Sequence, residues 1–268
     1  MTETTQPPTR TEAVGEPDHP LSMLSEREIR VAIDVLRASG RLTESARFAH
    51  VVLHEPDKER VRAFTPGAPV SREVEVLIVP GPGLELVEAI VSVADQRILD
   101  WRELDGMRPA ILFEEAFVAM VAIREDPRWQ EAMRRRGITD FDRVQIDPWP
   151  PGSFGLPVEE GRRLTRCLSY LRADHTDNGY AKPIDGVIGF VDLGRGEVID
   201  VVDYGMIPVP EQRASYYPDD VGPLRTDLRP LDITQRDGPS FTVEGNLVRW
   251  QRWSFRVSLD PYEGLVLH

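Results

Sequence analysis

Five histidines, a single cysteine and 45 carboxylates are the residues of this 268-residue chain that could hold a metal, attack a substrate or move a proton. His50 and His54 have the His-x-x-x-His spacing that binds zinc on a helix. Their surroundings, Phe48 to Leu53, read as strand, where four residues cover about 13 Å at about 3.3 Å each. Two imidazoles that far apart cannot share an ion whose Zn–N bonds are about 2 Å. Cys167 can form no disulfide within the chain, and no histidine lies near it in sequence, so it reads as a packed thiol rather than a nucleophile. Asp174-His175-Thr176-Asp177-Asn178-Gly179 resembles the start of a calcium loop, with Asp185 at the twelfth place. Thr176 stands at the third position and the closing Glu is missing, which weakens bidentate closure. A loop between strands, with Asn178-Gly179 supplying positive φ, is the better reading. Pro80-Gly81-Pro82-Gly83 does not open a capped helix, so it lacks the setting of a phosphate loop. No Ser-His-Asp order, Walker loop or Cys-x-x-Cys pair is present. Taken by themselves, these residues mark no catalytic centre.

The elements that would position them follow from periodicity. Ser25 and Glu28 make a capping box, and Ile29, Ala32, Ile33, Val35 and Leu36 give an apolar stripe at helical spacing that ends at Gly40. Phe48 to Leu53, Arg60 to Phe64, Glu73 to Val79 and Gln96 to Trp101 read as strands. Leu86 to Ala94 reads as strand too, although Leu-Val-Glu-Ala-Ile also suits a helix. A second unit repeats the plan. Helices are expected over Ile111 to Arg124 and Arg128 to Arg135, separated by Asp126-Pro127 and stopped by Gly137. Strands follow at Arg143 to Ile146, Leu164 to Arg172, Val187 to Asp192 and Glu197 to Tyr204, the last two joined by Gly194-Arg195-Gly196. Helix followed by antiparallel strands, twice over, is an α+β duplication.

A hydrophobic share of 41% and a charged share of 29% belong to a globular chain. The net charge of -13 argues against nonspecific binding of nucleic acid or anionic membranes. Residues 1–18 are rich in Thr, Pro and Glu and are expected to be disordered. They contain no apolar signal core, and no run of the chain is long enough to span a bilayer, so a cytoplasmic setting is expected.

Beyond the polar connector of residues 211–228, Trp250, Trp253, Phe255, Val257, Leu259, Leu265 and Leu267 read as strand broken by Asp260-Pro261-Tyr262-Glu263-Gly264. A strand this apolar needs a partner, and an unpaired edge is expected. This region, with Leu224-Arg225-Thr226, Pro230-Leu231-Asp232-Ile233-Thr234-Gln235, Gly238-Pro239-Ser240-Phe241 and Trp253-Ser254-Phe255-Arg256-Val257, resembles the copper-containing primary amine oxidases. The resemblance implies two cystatin-like helix-plus-sheet domains, 19–106 and 107–210, and the start of a catalytic β-sandwich over 229–268. It also implies that the copper ligands, the quinone tyrosine and the base lie outside this chain. Copper and topa quinone would then belong to the complete enzyme, a homodimer oxidising primary amines, with the catalytic β-sandwich or a separately encoded catalytic chain as partner. A non-catalytic module that docks through its strand edge is the alternative.

The same resemblance implies a substrate channel lined by Phe117, by Asp147, Pro148 and Trp149 on a turn, and by Tyr180. Asp147 and Trp149 depart from the smaller or aliphatic residues expected there. From its own neighbours, Pro148 and Pro150, Trp149 reads instead as a loop residue packed on its domain.

Overall fold

The computed structural model describes residues 18–268 except 82–84, 153, 156, 160–161, 213 and 261. The chain is α+β and divides into two compact units, one holding the residues up to Met107 together with Ile233–His268, the other Arg108–Asp232. The tail expected over 1–18 falls outside the described residues except for Asp18, and half of Pro80-Gly81-Pro82-Gly83 does so as well.

The first unit begins at the expected capping box. Ser25 Oγ accepts the Glu28 N–H at 3.3 Å and the Glu28 carboxylate accepts the Ser25 N–H at 2.8 Å, opening helix α1 (Glu26–Ala38). Ala32 and Leu36 on α1 lie fully buried on an antiparallel sheet. Its strands run in order β1 (Arg47–His54), β2 (Glu73–Val79), β3 (Leu86–Ser92) and β4 (Arg97–Leu104). Strand β2 alternates strictly, with Val74, Val76 and Ile78 buried between half-buried neighbours. Each such side chain contributes about 1.5–3 kcal/mol of burial. The strand expected over Arg60 to Phe64 is instead a short helix, α2 (Lys58–Ala63). Lys, Glu, Arg and Ala are helix formers with no period-2 apolar set to hold them in a sheet, and none of the six is buried.

Residues 233–268 of this unit build a second antiparallel sheet from β9 (Phe241–Glu244), β10 (Leu247–Trp250), β11 (Trp253–Asp260) and β12 (Gly264–Leu267), paired in sequence order. Strand β11 is therefore paired, its first half by β10 and its second by β12, while β12, which carries Leu265 and Leu267, and β9 are the edge strands of the sheet. Trp250 and Trp253 do not share a strand but face each other across a two-residue turn, where Gln251 takes φ 54°. Polar contacts tie this sheet to the rest of the unit. His50 Nε2 lies 2.9 Å from Asp260 Oδ2, Tyr262 Oη donates to Ala49 O at 3.2 Å, and Asn246 Nδ2 donates to Leu21 O at 3.3 Å.

In the second unit, helices α3 (Phe113–Glu125) and α4 (Pro127–Arg135) cover one face of a sheet ordered β5 (Val144–Trp149), β6 (Leu164–Leu171), β7 (Val187–Asp192) and β8 (Glu197–Asp203). Asp126 caps α4 by accepting the N–H groups of Arg128 and Trp129, Pro127 fills its first position, and Gly137 at φ 75° ends it. Trp129 is wholly buried, and its Nε1 donates to Ser169 Oγ at 3.0 Å. The inward residues of α3 are Glu115, Ala119 and Ile123. Ile123 packs so closely on Gly189 of β7 that a Cβ there would lie 2.2 Å from Ile123 Cδ1.

Two local expectations change here. Asp147, Pro148 and Trp149 do not form a turn; they extend β5, an edge strand on which a proline without N–H is tolerated. Gly179 does not take positive φ but enters a 3₁₀ turn, Gly179–Ala181, capped by Asn178 at φ -81°.

Candidate functional site

Strand alternation sorts the second sheet into two chemistries. Val144 and Ile146 of β5, and Cys167 of β6, point into the helix-covered core. The opposite parity places Gln145, Asp147 and Trp149 on the other face of β5. The register sets Gln145 opposite Tyr170, Asp147 opposite Leu168, and Trp149 opposite Arg166. This face of β5 and β6 thus carries the Asp147 carboxylate and, further along, the Arg166 guanidinium among amide, aromatic and aliphatic groups.

The loop between β6 and β7 brings Tyr180 onto it. Asn178 Oδ1 accepts the Tyr180 N–H at 3.1 Å, fixing the 3₁₀ turn. Gly179 is needed for close approach, since a Cβ would come within 2.8 Å of Gln145 Oε1. The Tyr180 ring meets Tyr170 edge to face at 5.1 Å and 73°. Its phenol is held above the ordinary tyrosine range, first by the hydrogen bond to Asp147, then by burial and the Asp147 charge. Gln145 Nε2 donates to both Asp147 oxygens, at 3.1 and 3.3 Å. Tyr170 is raised too, by burial and then by the charges of Asp147 and Asp185. The result is an anionic spot with aromatic walls, open to solvent because Tyr180 remains 60% exposed. Such a spot attracts a small cation through charge and ring faces together.

Of the five residues expected in a channel, the structure joins Asp147 and Tyr180 directly and sets Trp149 two positions along the same face of β5. Trp149 is half exposed, with its carbonyl bound by Thr165 Oγ1 at 2.9 Å. Pro148 has the other parity and pairs with Cys167. Phe117 stands apart. It lies on α3, whose buried side packs on the core face of the sheet, and its ring meets Phe113 at 4.8 Å. Gln145 and Tyr170 were not among the expected residues. Gln145 was available from its period-2 relation to Asp147, whereas Tyr170 depends on strand register.

Several other chemistry-bearing residues have structural partners. His54 Nδ1 lies 3.1 Å from Glu75, and His268 Nδ1 lies 2.9 Å from Glu55. Asp177 accepts from Lys182 Nζ at 2.8 Å and lies at about 2, well below the carboxylate range, mainly through that bond. Burial, then the Asp147 charge, pushes the Cys167 thiol up to about 12. Among the described residues no group of three His, Cys, Asp or Glu side chains could hold a metal ion. No described helix is long and apolar enough to cross a membrane.

Residues 25–100 match an AGAO-like N2 domain, and residues 114–220 match the N3 domain of copper amine oxidase. Over 258 residues the chain is 42% identical to a primary amine oxidase of Arthrobacter sp. (strain P1), covering 96% of this chain and 39% of that protein. It is 39% identical to a histamine oxidase of Arthrobacter globiformis, covering 93% of this chain and 37% of the relative. The chain thus spans about two fifths of the length of these relatives. A copper-containing benzylamine oxidase from Hansenula polymorpha has the same fold, with a TM-score of 0.76 at 22% identity over 93% of this chain and 42% of that one. The two adjacent domain matches, together with relatives aligned over nearly all of this chain, place it in the copper amine oxidase family, to whose amino-terminal region it corresponds.

Proposed function

We propose that this chain is the substrate-admitting amino-terminal part of a primary amine oxidase that converts a primary amine, O2 and water to an aldehyde, ammonia and hydrogen peroxide. In this reading the redox chemistry belongs to copper and topa quinone in the complete homodimeric enzyme. The described residues here supply no ligand set for that metal, so no chemical step is assigned to them. Their task is to admit and orient the amine on its way to a catalytic β-sandwich, carried by a longer chain or a separate polypeptide.

The observation that carries the reading is the grouping of Asp147, Tyr180 and Trp149 on the sheet face turned away from the core. Asp147 offers a carboxylate to an approaching ammonium ion, while Trp149 and Tyr180 bound the width of the passage. Attraction at 4 Å is about 1 kcal/mol in water and several times that in a partly desolvated cleft. In the assembled enzyme, Asp147→Asn should raise KM for methylamine at least about fivefold and leave kcat nearly unchanged. Trp149→Ala should favour an aryl-alkyl amine over methylamine, whereas Phe117→Ala, on the helix covering the other face of the sheet, should leave that preference as it is. Unchanged kcat/KM ratios for the two amines in both Asp147→Asn and Trp149→Ala would refute the channel assignment.

A further inference from the structure

We infer that the buried Asp177–Lys182 ion pair is a positioning device for Tyr180, and that the same carboxylate ties the connector at Ala214 to it. The two residues bracket the 3₁₀ turn that carries Tyr180. The Asp177 side chain is wholly buried and that of Lys182 nearly so. Asp177 Oδ2 accepts from Lys182 Nζ and from the Ala173 N–H, both at 2.8 Å, while its Oδ1 accepts the Ala214 N–H at 3.4 Å. Lys182 is fixed by its main chain as well. Its N–H donates to Gly179 O at 2.8 Å, closing the turn, and its O accepts the Leu171 N–H at 2.9 Å, anchoring the turn to β6. The loop is thus closed around Tyr180 by a side-chain bridge seated on the sheet.

Stability alone is a poor reason for such a pair. The cost of desolvating two charges commonly cancels their attraction, and apolar residues of the same volume often serve as well. What an ion pair supplies in addition is direction: one donor geometry and one acceptor geometry, hence one position for the four-residue segment between them. Tyr180, itself largely exposed, gains from such outside support, since the Tyr170 ring edge and the Asp147 and Gln145 side chains meet its own side chain while most of it faces solvent. The Ala214 contact extends the same lock to the connector after β8, so a shift of the connector would reach Tyr180 through one carboxylate. Relevance to amine selection rests on the channel reading above; the positioning itself does not.

The test uses this chain with 3-fluorotyrosine incorporated, the Tyr180 resonance being assigned by Tyr180→Phe. Lys182→Met should move that resonance toward free fluorotyrosine and bring its titration midpoint down to that of an exposed phenol, while the far-UV circular dichroism stays native. Asp177→Asn, which keeps the shape and removes the charge, should do the same to a smaller extent. An unchanged Tyr180 resonance and midpoint in a folded Lys182→Met chain would overturn the inference. So would unfolding of both variants, which would make the pair structural only. If Tyr180 moves as expected but Tyr180→Ala leaves the assembled enzyme's amine selectivity unchanged, the channel reading fails and the positioning inference stands.

Discussion

Replacing Arg72 by methionine should cost the first unit about 3–5 kcal/mol, the range for breaking a buried ion pair by removing one partner. Arg72 is 4% exposed, and its guanidinium is satisfied on every side. Nε donates to Glu28 Oε1 at 2.6 Å, Nη1 to the carbonyls of His19 and Pro20 at 3.0 Å each, and Nη2 to those of Ser22 and Met23 at 2.8 and 3.1 Å. Glu28 is the same carboxylate that caps α1. Methionine fills the volume but leaves that carboxylate buried with only Ser25 to bond it, and strips four carbonyls of their donor. Against a usual domain stability of about 5–15 kcal/mol, the loss is a large fraction. Urea unfolding followed by circular dichroism reads it. With a slope of about 2 kcal/mol per molar, the midpoint should fall by about 2 M. Adding Glu28→Met should recover much of the loss, because the uncompensated charge then disappears. A midpoint shift below about 0.5 M, or a double variant no better than the single one, would refute the reasoning.

Further outcomes follow from the second unit. Cys167 should resist thiol reagents at pH 8 in the folded chain and react fully in urea, since burial pushes its thiol to about 12; rapid native-state labelling would contradict its place in the core. Gly189→Ala should destabilise by about 1–3 kcal/mol, because the added methyl meets Ile123 Cδ1, and Ile123→Val should relieve part of this in the double variant; additive losses in a thermal melt would count against the contact. Asp177 and Asp203 both lie at about 2, held down by Lys182 and by Arg136 respectively. Folded values below the unfolded value mean that their stabilisation is complete above about pH 4 and is lost as the pH falls toward 2. Asp203→Asn should therefore flatten the fall in melting temperature between pH 5 and pH 2.5, and an unaltered profile would show that the pairing with Arg136 carries no pH dependence.

The features that sequence alone determined are those whose physics is complete within about one helical turn or one strand. The Ser25–Glu28 capping box, the Asp126-Pro127 start of α4, its stop at Gly137 and the alternation of Val74, Val76 and Ile78 need no distant partner. The α+β plan and the family resemblance rest on such local signals in order, and the domain matches agree with them. Lys58–Ala63 follows its own helix propensity, with no residue buried, whereas Trp250 and Trp253 part into two strands because a two-residue turn pairs them across the hairpin. The arrangement of the site, as distinct from the identity of Asp147, Trp149 and Tyr180, lies on the tertiary side of this division. Asp147 was legible as a carboxylate, but its partnership with Tyr180, the pairing of Gln145 with Tyr170 and the separation of Phe117 come from strand register and from which sheet face the helices cover. Arg72 finds Glu28 across 44 residues and His50 finds Asp260 across 210. A buried or half-buried charge must find a partner wherever the closed fold presents one, and no spacing rule within the chain encodes that search.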